Sequence, residues 1–276
     1  SNSQFKHQFV VKYAFADYTF RQWLRLRFGA FLTPFGVYNE SLHSDYDSKL
    51  VERPFLSEEI IPAPWTQLGI QLHGDFIFTP AWQMNYAVYT GNGIEALQDK
   101  KGVIESSRLR DMTHQLVSRF NSNRAIGGRF GLLGNDGLHH FEMGVSAYHG
   151  AWNPLATLNL NILGSDLWYH DNGLDVRAEW AVVAQDIAFG KQYDYSWYAQ
   201  AAYRWELLEP VFRFDRLRNR FFDKKGPFID DRHRYSVGLN LYLGKFFILK
   251  TSYSETTFSV ARRHDHRVTS TLTAGF

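Results

Sequence analysis

Apolar and polar side chains alternate with a period of two along most of this chain. From Leu24 to Leu32, Arg25 and Arg27 share one face while Leu24, Leu26, Phe28, Ala30 and Leu32 share the other. From Arg234 to Leu243, Tyr235, Val237, Leu239, Leu241 and Leu243 oppose Arg234, Ser236, Gly238, Asn240 and Tyr242. A helix would scatter both sets around its axis, so each segment reads as a β-strand with one apolar face.

The same alternation predicts thirteen strands, near residues 8–18, 22–33, 65–78, 82–91, 122–133, 138–149, 159–169, 174–185, 195–206, 210–217, 234–243, 246–256 and 267–276. Short joints at 19–21, 79–81, 134–137, 170–173, 207–209 and 244–245 take turns with longer ones at 34–64, 92–121, 150–158, 186–194, 217–233 and 257–266. Gly134-Asn135-Asp136-Gly137 and Asp171-Asn172-Gly173 supply residues that tolerate positive φ, as tight turns require. Half-apolar strands joined by short turns at one end and long loops at the other predict an all-β fold, an antiparallel transmembrane β-barrel. No Pro-, Gly- or Ser-rich run divides the chain, so 1–276 reads as a single domain.

Thirteen is odd, whereas bacterial single-chain barrels have an even number of strands and end on the short-turn side. The expectation is 14–16 strands in the complete protein. One or more N-terminal strands then lie outside this sequence or come from another chain, unless the weakest segment, 159–169, is miscounted.

Aromatic content of 17% fits the rings a barrel places at both membrane interfaces. The absence of Cys excludes disulfides and thiolate metal sites. A mean hydropathy of −0.34, with no apolar run of about 18 residues, excludes a membrane helix but not a barrel with polar inner strips. A net charge of +2 is too small to imply a nucleic-acid partner.

With the apolar faces outward, the opposite faces line a pore. They carry Arg25, Arg27, Arg129, Arg177, Arg204, Arg213, Arg234, Lys250 and Arg267, against Asp75, Glu142, Asp175, Glu179, Glu206 and Asp215. Basic rings in a narrow aqueous channel favour anions, whereas bases and acids paired across strands merely hydrate the wall. Arg25 and Arg27 stand apart because no acid separates them on their strand, which points to a constriction. The longest loop, 34–64, carries Glu40, Asp45, Asp47, Glu52, Glu58 and Glu59. It could fold inward and narrow the pore, bind a divalent cation through Asp45 and Asp47, or stay in solvent.

No metal or cofactor is expected. His139 and His140 point to opposite faces of a strand, and His264 with His266 reads as an exposed loop pair. An enzyme is not expected either: barrel hydrolases place a His and a Ser two positions apart, and no His-x-Ser, Gly-x-Ser-x-Gly, P-loop or His-Glu-x-x-His string occurs.

The blocks Tyr13 to Tyr18, Leu24 to Gly36 with its Pro34-Phe35 pair, Val51-Glu52-Arg53-Pro54, the Gly69 to Gly74 string, Tyr89 to Gly93 and the Phe276 end resemble the phosphate-selective porin family of porin O/P-like channels. That resemblance implies a sixteen-stranded, trimeric channel of the bacterial outer membrane, surrounded by lipid and lipopolysaccharide, with an anion-leaning lumen. The chain departs from the pattern in lacking about three N-terminal strands and any lysine-rich lumen cluster. The expected function is passive diffusion of small hydrophilic solutes, anionic or neutral, with a weak anion preference. The alternative is a barrel that serves as scaffold or sheath for a partner protein in an outer-membrane complex.

Overall fold

The computed structural model describes residues 13–275 except 43, 45, 62, 96, 99–103, 107–108, 110–122, 154, 188–189, 224–225, 245 and 261. The start of the first expected strand, Asp45 and the terminal Phe276 lie outside the described residues.

The strands are β1 (Ala14–Arg21), β2 (Leu24–Leu32), β3 (Thr66–Thr79), β4 (Trp82–Asn92), the short β5 (Leu97–Gln98) and β6 (Ile104–Ser106), β7 (Arg124–Asn135), β8 (His139–Ala151), β9 (Asn159–Asp171), β10 (Leu174–Ile187), β11 (Gly190–Tyr203), β12 (Leu208–Asp223), β13 (Gly226–Tyr242), β14 (Phe247–Phe258) and β15 (Arg263–Ala274). Leaving aside β5 and β6, each pairs antiparallel with the next, from β1 to β15, in a single sheet of thirteen long strands. All thirteen expected strands are present. Segment 159–169 is a full strand bonded to β8 and β10, so the miscount is ruled out. Its weak alternation comes from Leu160 and Ile162, apolar on the inward face and 0% exposed. Among the described residues β1 and β15 have no partner on their outer edges.

In β8, Glu142, Gly144, Ser146 and Tyr148 are buried while Met143, Val145, Ala147 and His149 are exposed. Neighbouring strands repeat the pattern, with Ile126, Phe130, Leu163, Trp180, Phe212 and Val237 all exposed. The exposed face is the apolar one, the inverse of a protein folded for water. The turns follow their chemistry. Asp136 accepts hydrogen bonds from the backbone N–H groups of His139 (2.8 Å) and Leu138 (3.0 Å). Those bonds and the His139 ring hold its carboxyl down to about 2.

Three expected loops are shorter than the hydropathy pattern suggests. Pairing continues to Ile187↔Gly190, Asp223↔Gly226 and Phe258↔Arg263, so 186–194, 217–233 and 257–266 are largely strand. Around Arg218, Asn219, Arg220, Asp230 and Asp231 polar residues occupy both faces, and the alternation fades while the backbone ladder persists. His264 and His266 therefore lie on β15, bonded to Thr257 Oγ1 (3.1 Å) and the Tyr253 hydroxyl (2.8 Å), and not in a loop.

The segment between β2 and β3 decides the architecture. Its Gly36 N–H donates to Ser146 of β8 (3.1 Å) and its Tyr38 N–H to Glu179 of β10 (2.6 Å). Tyr38 meets Tyr198 of β11 edge-on, and the Phe55 N–H donates to Asp215 of β12 (3.1 Å). Glu52 accepts from Arg234 of β13 (3.2 Å) and Ser254 of β14 (2.8 Å), and Tyr46 abuts Gly275, just past β15. One loop can touch one face of so many consecutive strands only if the sheet is rolled around it. Gly36 permits the entry: its φ is +65°, and a Cβ would lie 2.5 Å from a Glu179 carboxylate oxygen.

The interior, expected to be polar, is layered. Toward the loop ends of the strands, Phe31, Tyr89, Tyr148, Leu160, Ile162, Val183 and Leu217 of the wall pack with Phe35, Phe55, Ile60 and Trp65 of the loop. Each such burial stabilises by about 1.5–3 kcal/mol, so packing as well as polar bonding holds the loop inside. Toward the turn ends the wall is charged.

The exposed apolar face predicts that Val145→Arg, in the middle of β8, destabilises the barrel by about 2–4 kcal/mol in lipid vesicles. Denaturant titration of folded protein in vesicles measures this, and an unchanged midpoint would show that this face does not meet hydrocarbon.

Candidate functional site

The charged layer is built from alternate residues of neighbouring strands, which a ladder brings side by side on one face. Arg129 of β7 reaches Glu142 of β8 (2.8 Å) and Asp166 of β9 (2.5 Å). Arg177 donates to Asp175 on its own strand (3.0 Å) and to the Asp47 carbonyl of the loop (2.9 Å). Arg213 and Arg234 share Asp215 at 2.8 and 3.2 Å, and both donate to the Arg53 carbonyl. Lys250 donates to the Tyr46 (3.1 Å) and Ser48 carbonyls. All five of these expected bases are at most 5% exposed, and each clamps a wall acid, the loop backbone, or both.

Arg25 and Arg27 share the inward face of β2, and neither is uncompensated, as their strand alone suggested. Arg25 pairs with Asp75 of β3 (2.6 Å), and Arg27 with Asp17 of β1 (2.7 Å) while lying 4.2 Å over the Phe15 ring. The compensating acids sit on neighbouring strands, where a reading along one strand does not look. Arg204 and Glu206 belong to the exposed turn between β11 and β12, where Arg204 covers the Tyr242 ring at 3.8 Å; strand β11 stops at Tyr203. Arg267 lies on β15, 3.3 Å from Glu52, with a side chain 69% exposed.

The loop's acids divide in two. Glu52 binds Arg234 and Arg267, and Glu59 binds Arg232 (2.9 Å), whose guanidinium and that of Arg234 both stack on Phe55. The carboxylates of Glu40 and Glu58 have no hydrogen-bond or ion-pair partner among the described residues. Burial pushes the Glu40 carboxyl up to about 7, with Glu142 and Asp166 adding to the effect and Arg129 and Arg27 opposing it. Burial also raises Glu58, against Arg234, Arg213 and Arg232. The net charge inside the barrel is therefore sensitive to protons near neutrality. Sequence reasoning found these residues as loop acids and left inward folding open beside a solvated loop; the inward placement depends on the aromatic anchors Phe35, Phe55 and Trp65.

A polar cavity of about 450 Å³ lies beside the loop turn Leu56–Ile60, facing β13 to β15. Glu52, Glu58 and Glu59 line it on the loop side, and Arg232, Arg234, Thr256 and Arg267 on the wall. Among the described residues no three His, Cys, Asp or Glu side chains converge as a metal site. Asp45 being outside those residues, the suggested Asp45–Asp47 site has no described geometry.

A rolled antiparallel sheet, apolar outside, with a long loop folded onto a charged inner wall, is a porin-like β-barrel. A solved structure supports the class: the anion-selective porin from Comamonas acidovorans superposes with a TM-score of 0.52, covering 92% of this chain and 74% of that one at 12% identity. At that identity the likeness shows the fold alone. An uncharacterised protein of Aquifex aeolicus (strain VF5) is 31% identical over 175 residues, 62% of this chain and 37% of the relative, so the match spans little more than a third of that protein. No family model matches the chain, that of the phosphate-selective porins included.

Removing Asp215 would leave Arg213 and Arg234 buried without their shared acid. Asp215→Ala is expected to cost about 3–5 kcal/mol. Arg263→Ala, which breaks an exposed pair with Asp265, should cost less than about 1 kcal/mol. Unfolding in detergent micelles, followed by the heat-dependent gel mobility of folded barrels, measures both; equal effects would show that the inner network does not hold the loop.

Proposed function

We propose that this chain forms a passive diffusion channel of the bacterial outer membrane for small hydrophilic solutes, with a weak preference for anions. The observation that carries the reading is the loop folded inside the rolled sheet: it narrows the interior and leaves a polar, charge-lined cavity beside it. Under this reading lipid and lipopolysaccharide surround the apolar face, and solutes move down their gradients through the interior. The anion preference rests on Arg25, Arg27 and Arg267, the inner bases whose side chains stay 29%, 21% and 69% exposed. It is weak because each has an acid within 3.3 Å.

One observation favours the alternative scaffold or sheath. The aromatic layer packs loop and wall together without a gap at Trp65 and Tyr148, whose rings lie 5.2 Å apart. An interior closed in this way would hold a partner without conducting. Planar-bilayer recording separates the two: a channel gives stepwise currents, and their absence from folded protein would favour the scaffold. With a conducting protein in a salt gradient, Arg25→Glu combined with Arg27→Glu should move the reversal potential toward cations. An unmoved potential would take both arginines out of the solute path.

A further inference from the structure

The apolar outer face is not smooth. Gly128 of β7 pairs with Ala147 of β8, and these two with Ser165 of β9 leave an apolar groove of about 820 Å³ between Phe130 and Trp180. A second apolar groove, of about 800 Å³, lies on the other side of Trp180, beside Ala178, Ala199 and Trp197. At the loop end of the first groove stand two polar side chains, His149 of β8 and Asn161 of β9. The His149 ring N–H donates to the Asn161 side-chain oxygen at 2.8 Å. Ile126, His149, Asn161, Ala184 and Tyr193 form one register row across β7 to β11. Two residues beyond the ends of that row, toward the loops and on the same face, are Arg124 of β7 and Lys191 of β11. Arg124 is exposed, and the Lys191 side chain is 60% exposed, 3.7 Å from Asp186. Asp186 also accepts from the backbone and side-chain N–H groups of Asn159 (3.1 and 3.2 Å).

We propose that the two grooves are a binding site for lipopolysaccharide, with one acyl chain in each groove, Trp180 between them, and the phosphates of the disaccharide headgroup on Arg124 and Lys191 above His149 and Asn161. The proposal rests on the outer-membrane reading and gives one lipid of that membrane a fixed place on the wall. An acyl chain that leaves bulk lipid for a groove gains close packing but no hydrophobic free energy, because lipid is as apolar as the groove. The grooves alone would therefore hold any chain weakly, and the headgroup decides which lipid stays. Basic side chains at headgroup level attract anionic lipids. Four strand spacings separate β7 from β11, about 19 Å of wall, which suits a headgroup with a phosphate at each end. A phospholipid has one phosphate and reaches one of the two bases. The exposed contact between Lys191 and Asp186 is weak, so Lys191 can exchange it for a phosphate.

Native mass spectrometry of the folded barrel in detergent tests the site, with bisphosphorylated lipid A, monophosphoryl lipid A and phosphatidylglycerol as probes. Wild-type protein should retain bisphosphorylated lipid A at least about fivefold more strongly than either of the other two. Arg124→Gln combined with Lys191→Gln should erase that advantage. Ala147→Phe, which fills the first groove, should lower lipid A retention several-fold. Val237→Phe, on the exposed face of β13 and away from both grooves, should leave it unchanged. Equal retention of the three lipids by wild type would overturn the assignment to lipopolysaccharide. Equal retention by Ala147→Phe and Val237→Phe would overturn the groove as the site. Retained heat-dependent gel mobility of each variant excludes misfolding as the cause. Conductance and cell fractionation test the channel and outer-membrane readings separately, and lipid retention by purified protein depends on neither.

Discussion

The constraint beneath this structure is the backbone ladder. In hydrocarbon every N–H and C=O must be paired within the protein, because no water is present to take a missing partner's place. A continuous antiparallel sheet meets that demand over thirteen long strands. Once the strands are paired side by side, the alternation of side chains between two faces follows without further choice. Everything functional in the molecule is placed by that alternation: apolar residues on the outside, and arginines, acids and loop anchors on the inside.

The alternation explains why the fold was legible in the sequence. Strands β2, β8 and β13 carry clean period-two patterns, and the Asn-Asp-Gly and Asp-Asn-Gly turns mark where the chain reverses. Legibility failed where the physics no longer writes hydropathy into the sequence. The β12–β13 ladder runs on to Asp223 and Gly226 because pairing does not need a greasy face beyond the apolar band. Leu160 and Ile162 weakened their strand's signal because the inner face there meets the aromatic loop and not water.

The interior was only partly legible for a related reason. Arg129, Arg177, Arg213, Arg234 and Lys250 could be assigned to the inner face by counting along strands. Their partners could be only in part: Asp175 and Asp215 lie two residues from Arg177 and Arg213 on the same strands, whereas Asp166 and the Arg53 carbonyl come from another strand and from the loop. Asp75 and Asp17 likewise turn Arg25 and Arg27 from an uncompensated pair into two separate ion pairs. The pairing also gives the loop its purchase: four inner bases, Arg177, Arg213, Arg234 and Lys250, donate to its backbone carbonyls, so the charged layer serves architecture first.

The account's central claim is that membrane lies on one face of the wall and the loop-filled interior on the other. A nitroxide scan through residues 142–149 of β8 in lipid vesicles tests it most directly, because burial alternates strictly there. Labels at 143, 145 and 147 should collide with lipid-soluble oxygen, and labels at 142, 144 and 146 should be protected from it. Oxygen accessibility that is uniform along the strand, or highest at the even positions, would contradict the account.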